Sequence, residues 1–277
     1  MTLSSDTPAA PKPYLNTDWV FYVCLSLLGG SYLVLIVAML IANLYFTSPG
    51  HVLEALQRPD IRYAIKLSLV SCSITAILSL WVGVPLGYLL ARTQFWGKFL
   101  VDTLIDIPIV LPPLVIGLSL LILFQTWIGK LFQENIFTVT YAVPSVILAQ
   151  FAVATAFAVR TMRVTFEKIS PRPEQVAMTL GCTRSQAFWR VVMPEARRGL
   201  LTAFTLSWAR SLGEFGPILI FSGATRMRTE VLSTTVYLEF SVGKLEAAIA
   251  VSLLMIGVAV IVLVLMRTLG LRGTGLV

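Results

Sequence analysis

An all-α fold that crosses a membrane six times is predicted by three observations. Of the 277 residues 57% are hydrophobic and only 13% charged, with a mean hydropathy of +0.84, against about 25% charged in an ordinary soluble domain. That is too little charge to clothe a soluble surface. The apolar residues also gather into six runs, each near the ~20 residues of helix that cross a ~30 Å hydrocarbon core. Finally, the alternating segments of about ten residues that build membrane barrels are missing from the sequence, and backbone groups in lipid must pair internally, so the runs are helices.

In chain order the spans are expected at 19–46, 64–91, 99–126, 142–162, 200–222 and 245–269. A polar, Pro-rich tail over 1–18 precedes the first; it has no cluster of Lys or Arg and the run behind it is too long for a secretory leader, so no cleavage is expected. With that tail inside, thirteen of the 21 Lys and Arg fall on the cytoplasmic side and seven outside, with Arg210 left within a helix. Positive charge favours the inside, so both termini are expected there. The net charge of +7 then reads as loop charge rather than as a nucleic-acid surface. In the second helix Gly83 and Gly87 stand at GxxxG spacing, a helix-packing pattern interrupted by Pro85. The only histidine, His51, falls in the first external loop, and Cys24, Cys72 and Cys182 are unevenly spaced. Neither a disulfide framework, a metal site nor a Ser-His-Asp triad is implied.

Eight of the inside charges surround the loop between the fourth and fifth helices: Arg160, Arg163, Lys168, Arg172, Arg184, Arg190, Arg197 and Arg198. Ser170 can cap a helix whose first turn tolerates Pro171 and Pro173, with Glu174 at the positive end of its dipole and Gly181 as a left-handed stop. Thr183 and Gln186 form a capping-box pair for a second short helix carrying Phe188, Val191 and Val192, which Pro194 ends or follows. The product is helix, Gly turn, helix. The spacing Gln175, Val176, Ala177, Gly181, Val191, Met193, Pro194 resembles the EAA loop of ABC-importer permeases, with Gln175 in place of its Glu and Val176 in place of its first Ala. The resemblance implies a coupling helix seated on a separate ATPase subunit, with Glu174 adjoining the missing acid.

The fifth helix carries Ser207, Arg210, Ser211 and Glu214 at spacings that fall on one face. An ionisable residue at membrane depth is either functional or paired. Arg210 and Glu214, one turn apart, either neutralise one another or line a water-filled path in which Glu214 holds the guanidinium for an anion. Gly213, Gly216 and Pro217 loosen the same helix, and Pro108, Pro112 and Pro113 predict a kinked third helix. Lys98, Asp102 and Asp106 form a ladder at four-residue spacing near the start of that third helix. The run 210–216, RSLGEFG, and the segment 107–113, IPIVLPP, resemble the permeases of molybdate and sulfate importers, the latter segment being nearer the molybdate type.

The resemblance covers about residues 60–266, including the coupling loop at 168–199, with a cytoplasmic tail over 267–277. It implies a type I ABC-importer permease fold in the cytoplasmic membrane of a prokaryote. It also implies a second permease copy, a pair of ATP-binding subunits and an extracytoplasmic solute-binding protein as partners, membrane lipid around them, and an oxyanion cargo, molybdate or tungstate before sulfate or thiosulfate. The sequence has no GxxxxGK[ST] phosphate loop, so ATP and Mg belong to the partner and the chain itself holds no cofactor and is no enzyme. The competing readings are the same fold with another small solute, a membrane-embedded enzyme using Asp102 and Asp106, and a passive channel.

Overall fold

The computed structural model describes residues 18–272. The tail expected over 1–18, save Asp18, and the end of the tail expected over 267–277 lie outside the described residues. All regular structure among the described residues is helical. The chain divides into two compact units, Met1–Ser48 and Pro49–Val277. The first contains helix α1 (Asp18–Tyr45), apolar along its whole length.

The second unit holds α2 (Pro49–Gln57), α3 (Pro59–Arg92), α4 (Lys98–Val110), α5 (Pro113–Gln125), α6 (Trp127–Asn135) and α7 (Val143–Lys168). After these come α8 (Arg172–Thr179), α9 (Arg184–Ala187), a π-helical turn (Phe188–Val192), α10 (Met193–Glu195), α11 (Arg197–Leu212), α12 (Gly216–Ser222), α13 (Leu232–Ser241) and α14 (Leu245–Arg272). Among the described residues four helices are long and apolar enough to cross a membrane, namely α1, α3, α7 and α14, and α4 with α5 makes a fifth if the pair is one broken span.

Six continuous spans are therefore not found. The helix expected at 99–126 is two helices meeting at 112°. Pro113 takes the first position of α5, and Pro112 before it forces Leu111 into extended backbone at φ −65°, ψ 140°. Pro108 stays inside α4 without ending it, so of the three prolines expected to hinge this span only the adjacent pair breaks it. The helix expected at 200–222 is α11 followed by α12, because Pro217 has no N–H to give the carbonyl of Gly213 and the backbone departs from the helix at Phe215 (φ −118°, ψ −56°). The last helix runs on to Arg272, past the boundary expected at 266.

The centre of the second unit is α3 lying parallel to α7. Thr75 donates to Gln150 at 3.2 Å and Ser79 meets Thr155 at 3.1 Å, so residue numbers rise together along the two helices. A Cβ at Gly83 would stand 2.9 Å from that of Ala158, and one at Gly87 only 2.8 Å from the backbone N of Arg163. The GxxxG spacing thus serves close approach, and Pro85 does not prevent it. The buried stripe of α3 is small and hydroxylic, including Ser68, Ser71, Thr75 and Ser79, while Trp81 on the other face is 77% exposed. A helix that buries its small residues and exposes its large apolar ones is built for lipid. Helix α11 packs across both α3 and α7, α12 across α5, and α13 against α14.

Candidate functional site

The loop at 168–199 folds as helix, Gly turn, helix, but the cap position of α8 is Pro171, which makes no side-chain capping bond, and not the expected Ser170. Ser170 Oγ accepts from the amide of Arg172 at 3.4 Å. Helix α8 ends at Gly181, whose φ of +93° is the left-handed stop, and the amides of Gly181 and Cys182 reach back to Met178 and Ala177 at 3.1 and 3.0 Å. Thr183 and Gln186 form the reciprocal capping box. The second helix then widens into the π turn, where the amide of Met193 bonds the carbonyl of Phe188, and Pro194 sits within α10. Val192 is buried, whereas Val191 and Met193 are half-buried and Pro194 is exposed.

Glu174 does not face outward beside Gln175. It is 6% exposed, accepts a hydrogen bond from the Tyr88 hydroxyl and lies 3.8 Å from Arg92 Nε. The outward face of α8 consists of Gln175, Val176, Thr179 and Leu180, the last 81% exposed, with Ala177 half-buried behind them. Trp189 of the π turn adds a second exposed apolar side chain.

The polar stripe of the fifth span is divided. Ser207 and Ser211 are fully buried; Ser207 Oγ donates to the Ala154 carbonyl at 3.4 Å and Ser211 Oγ to the Ser207 carbonyl at 2.7 Å. Both belong to helix packing, which corrects their assignment to an open path. Gln150 Nε2, 3.3 Å from the Ser211 carbonyl, helps satisfy the end of α11 at the break. Arg210 and Glu214 do meet: Nη1 lies 2.6 Å from Oε1, with Arg210 31% exposed and Glu214 1%. The guanidinium carbon stands 5.7 Å from the centre of the Phe157 ring. Below Phe157 a 460 Å³ cleft between α7 and α11 is lined by Arg160, Thr161, Thr165, Lys168 and Thr202.

Two of the expected hinges touch. A Cβ at Gly117 would lie 2.7 Å from Pro217 Cα, and one at Gly216 3.1 Å from the amide N of Leu114 and 3.2 Å from Pro113 Cβ. The break after Pro112 and the break before Pro217 therefore pack as one junction. Gly213, with φ −80° and ordinary space around it, needs neither the freedom nor the smallness of glycine.

Asp102 and Asp106 do not form a ladder with Lys98, whose ammonium bonds the Thr93 carbonyl at 3.1 Å. They reach across to α7. Arg160 holds Asp106 through both carboxylate oxygens, 2.6 Å at Nε, and Asp102 at 3.0 Å; Arg163 meets Asp102 at 2.5 Å. Among the described residues no group of three or more His, Cys, Asp or Glu is arranged to hold a metal ion.

A charge cluster at the opposite end of the unit left little trace in the sequence, since its members are scattered over 58–239. Arg58 holds Glu239 at 2.7 and 3.2 Å and Asp60 at 2.6 and 3.2 Å. Arg226 closes the group on Asp60 at 3.0 Å and Glu239 at 2.7 Å. Hydrogen bonds from Arg58, then from Arg226, hold the Glu239 carboxyl below the usual range despite its burial. Burial pushes the nearby Glu230 carboxyl the other way. His51, read as solvated and alone, has Glu246 3.5 Å from its Nε2.

Residues 83–272 match the binding-protein-dependent transport system inner membrane component family. The chain belongs to that family. It is 32% identical over 260 residues to the sulfate transport system permease protein CysT of Escherichia coli (strain K12), covering 93% of this chain and 91% of the relative. It is 30% identical to the molybdate/tungstate transport system permease protein WtpB of Pyrococcus abyssi, covering 91% and 96% of the two chains. A chain from the crystal structure of a bacterial alginate ABC transporter in complex with an alginate pentasaccharide-bound periplasmic protein superimposes with a TM-score of 0.75, at 17% identity, over 93% of this chain and 96% of that one; this likeness establishes the fold. The protein is thus an ABC-importer permease subunit of the kind found in oxyanion systems, and ATP hydrolysis falls to a separate subunit.

Proposed function

We propose that the permease imports a tetrahedral oxyanion, molybdate or tungstate first, driven by ATP hydrolysed on its partner. The observation that carries this reading is Arg210: a partly exposed guanidinium at the broken end of α11, backed at 2.6 Å by a buried carboxylate. The carboxylate offsets the cost of a charge at membrane depth, and because the guanidinium stays 31% exposed it keeps donors free for a negatively charged cargo. The hydroxyl-bearing cleft beyond Phe157, lined by Thr161, Thr165, Thr202 and Lys168, continues polar groups along the same flank, its Arg160 being already paired with Asp102 and Asp106. Sulfate is the second reading, favoured by the likeness to the sulfate permease of Escherichia coli.

In this reading both termini and the 168–199 loop are cytoplasmic, in the inner membrane of a prokaryote. Two copies face one another, and Gln175, Val176, Ala177 and Gly181 present the surface that meets the ATP-binding subunit, with Val191, Met193 and Pro194 behind it. The far end, with its Arg58 and Arg226 cluster, receives an extracytoplasmic solute-binding protein. The junction of Pro112, Pro113, Gly216 and Pro217 is the hinge for alternating access. The test is uptake of labelled molybdate by cells deprived of their own molybdate and sulfate importers and supplied with this permease, its ATPase and its binding protein. Molybdate uptake that excess tungstate suppresses and excess sulfate does not is the expected result. Suppression by sulfate at equal concentration gives the second reading, and absence of uptake of either anion removes both.

A further inference from the structure

We infer that Glu174 is a positioning residue, which with Tyr88 and Arg92 locks α8 to the end of α3 so that force on the loop enters the bundle through α3. The inference rests on the reading of the loop as the ATPase contact. Three observations meet at this point. Glu174 is buried on the inner face of an otherwise exposed two-turn helix, and a carboxylate so placed is costly unless it is bonded. The bonds come from one helix, α3: the Tyr88 hydroxyl donates to Oε1, and Arg92, one turn on, brings its charge to 3.8 Å from Oε2.

Both donors are themselves held. Arg92 donates through its second amino group to the Ile169 carbonyl at 2.8 Å, at the end of α7. The Tyr88 ring stands edge-on to Phe166 at 5.5 Å and to Phe188 of the π turn at 4.8 Å. Thus α3, α7, α8 and the π turn share one anchor. Without it α8 would be held by its peptide links and its packing on α9 and the π turn, with no side-chain bond to α3. With it, a push on Val176 and Leu180 from outside is opposed by Glu174 from within and passes to α3. That helix is packed against α7 at Gly83 and Gly87 too closely to absorb the load.

The experiment uses the whole transporter, with Tyr88→Phe, Glu174→Gln and the double variant. Tyr88→Phe keeps every ring contact and removes only the hydroxyl. Tyr63→Phe serves as control, since it loses a phenol bond to the Arg228 carbonyl at the other end of α3. Amide exchange over 172–180 and molybdate taken up per ATP hydrolysed are measured in parallel. Both single variants are expected to exchange faster and to import less per ATP by roughly ten-fold, the weight of one hydrogen bond to a charged group. The double variant should be no worse than either, because the two act as one unit. Unaltered exchange overturns the anchor; faster exchange with wild-type uptake per ATP overturns its part in coupling. A wild-type transporter that hydrolyses ATP without moving either molybdate or sulfate defeats the oxyanion reading instead, and the exchange comparison still decides the anchor.

Discussion

At the scale of single residues, Arg210 and Glu214 meet at 2.6 Å with the carboxylate buried and the guanidinium partly exposed. Four-residue spacing was enough to pair Arg210 with Glu214, because neighbours one turn apart on a helix have few other options. The same spacing put Ser207 and Ser211 with them, yet only tertiary packing decided that both are buried, Ser207 on the Ala154 carbonyl of α7 and Ser211 on the Ser207 carbonyl of its own helix. Replacement of Arg210 by Gln is expected to cut oxyanion uptake at least ~10-fold, with Lys recovering part of it, since Lys keeps the charge but not the planar fork. Normal membrane abundance with unchanged uptake would take Arg210 out of the path. At the far end, Glu239 has a depressed carboxyl pKa, so its contribution to stability is full above the unfolded value and lost as pH falls through the folded one. Thermal unfolding of the detergent-solubilised protein should therefore shift downward on acidification. Glu239→Gln should be less stable at neutral pH and flatten that acid dependence; a variant with wild-type stability at neutral pH would contradict the role given to the cluster. Glu230, raised by burial, works against folding at neutral pH and is relieved by acid, and Glu230→Gln removes that opposing component.

Among the elements, the helix, Gly turn, helix of 168–199 was largely legible, since the Thr183–Gln186 box and the left-handed Gly181 are local devices, although the cap of α8 falls at Pro171 rather than Ser170. What local devices leave open is which side of α8 faces the bundle, and Glu174 shows it: the acid next to the altered EAA position turns inward and cannot stand in for Gln175 at a partner. The broken spans were only partly legible. Pro112, Pro113 and Pro217 announced breaks, but a 112° turn depends on what the freed ends pack against, here one another. Gly117 is the telling position, because a side chain there meets the backbone of Pro217 rather than a movable side chain. Gly117→Val should wedge α5 from α12 and destabilise the protein by about 1–3 kcal/mol, seen as a lowered midpoint of unfolding in detergent. Gly213→Ala, whose Cβ would meet only the Arg210 and Ala209 carbonyl oxygens at 3.7 and 3.9 Å, serves as control and should stay within about 0.5 kcal/mol of wild type. Equal stability of Gly117→Val and wild type would mean that the two breaks separate freely. Helix α4 illustrates a different failure of sequence reading: Asp102 and Asp106 formed a plausible ladder along their own helix, but the half-buried arginines of α7, Arg160 and Arg163, are the stronger partners.

For the whole molecule, gentle purification from a native membrane followed by mass spectrometry of stoichiometric companions is expected to recover a P-loop ATPase and a second permease copy. Recovery of the chain alone, under conditions that preserve other such complexes, would refute the proposed assembly. The sequence by itself determined the solvent and the class. Its 57% hydrophobic content admits only a membrane, and the loop spacing and RSLGEFG run pointed to the family that the comparisons then established. Both are properties of composition or of residues close in the chain. The tertiary structure decided what depends on distant residues meeting: the parallel seam of α3 and α7, the junction of two broken spans, the inward anchor of Glu174, and the arginine cluster joining 58 to 239. Hydropathy treats all lipid-compatible faces alike, so it can count apolar runs but cannot say which face of each meets protein. Where the buried seam carries small and hydroxylic residues, as along α3 at Ser68, Ser71, Thr75 and Ser79, close packing and side-chain hydrogen bonds make that choice, and these become visible only when the helices are assembled.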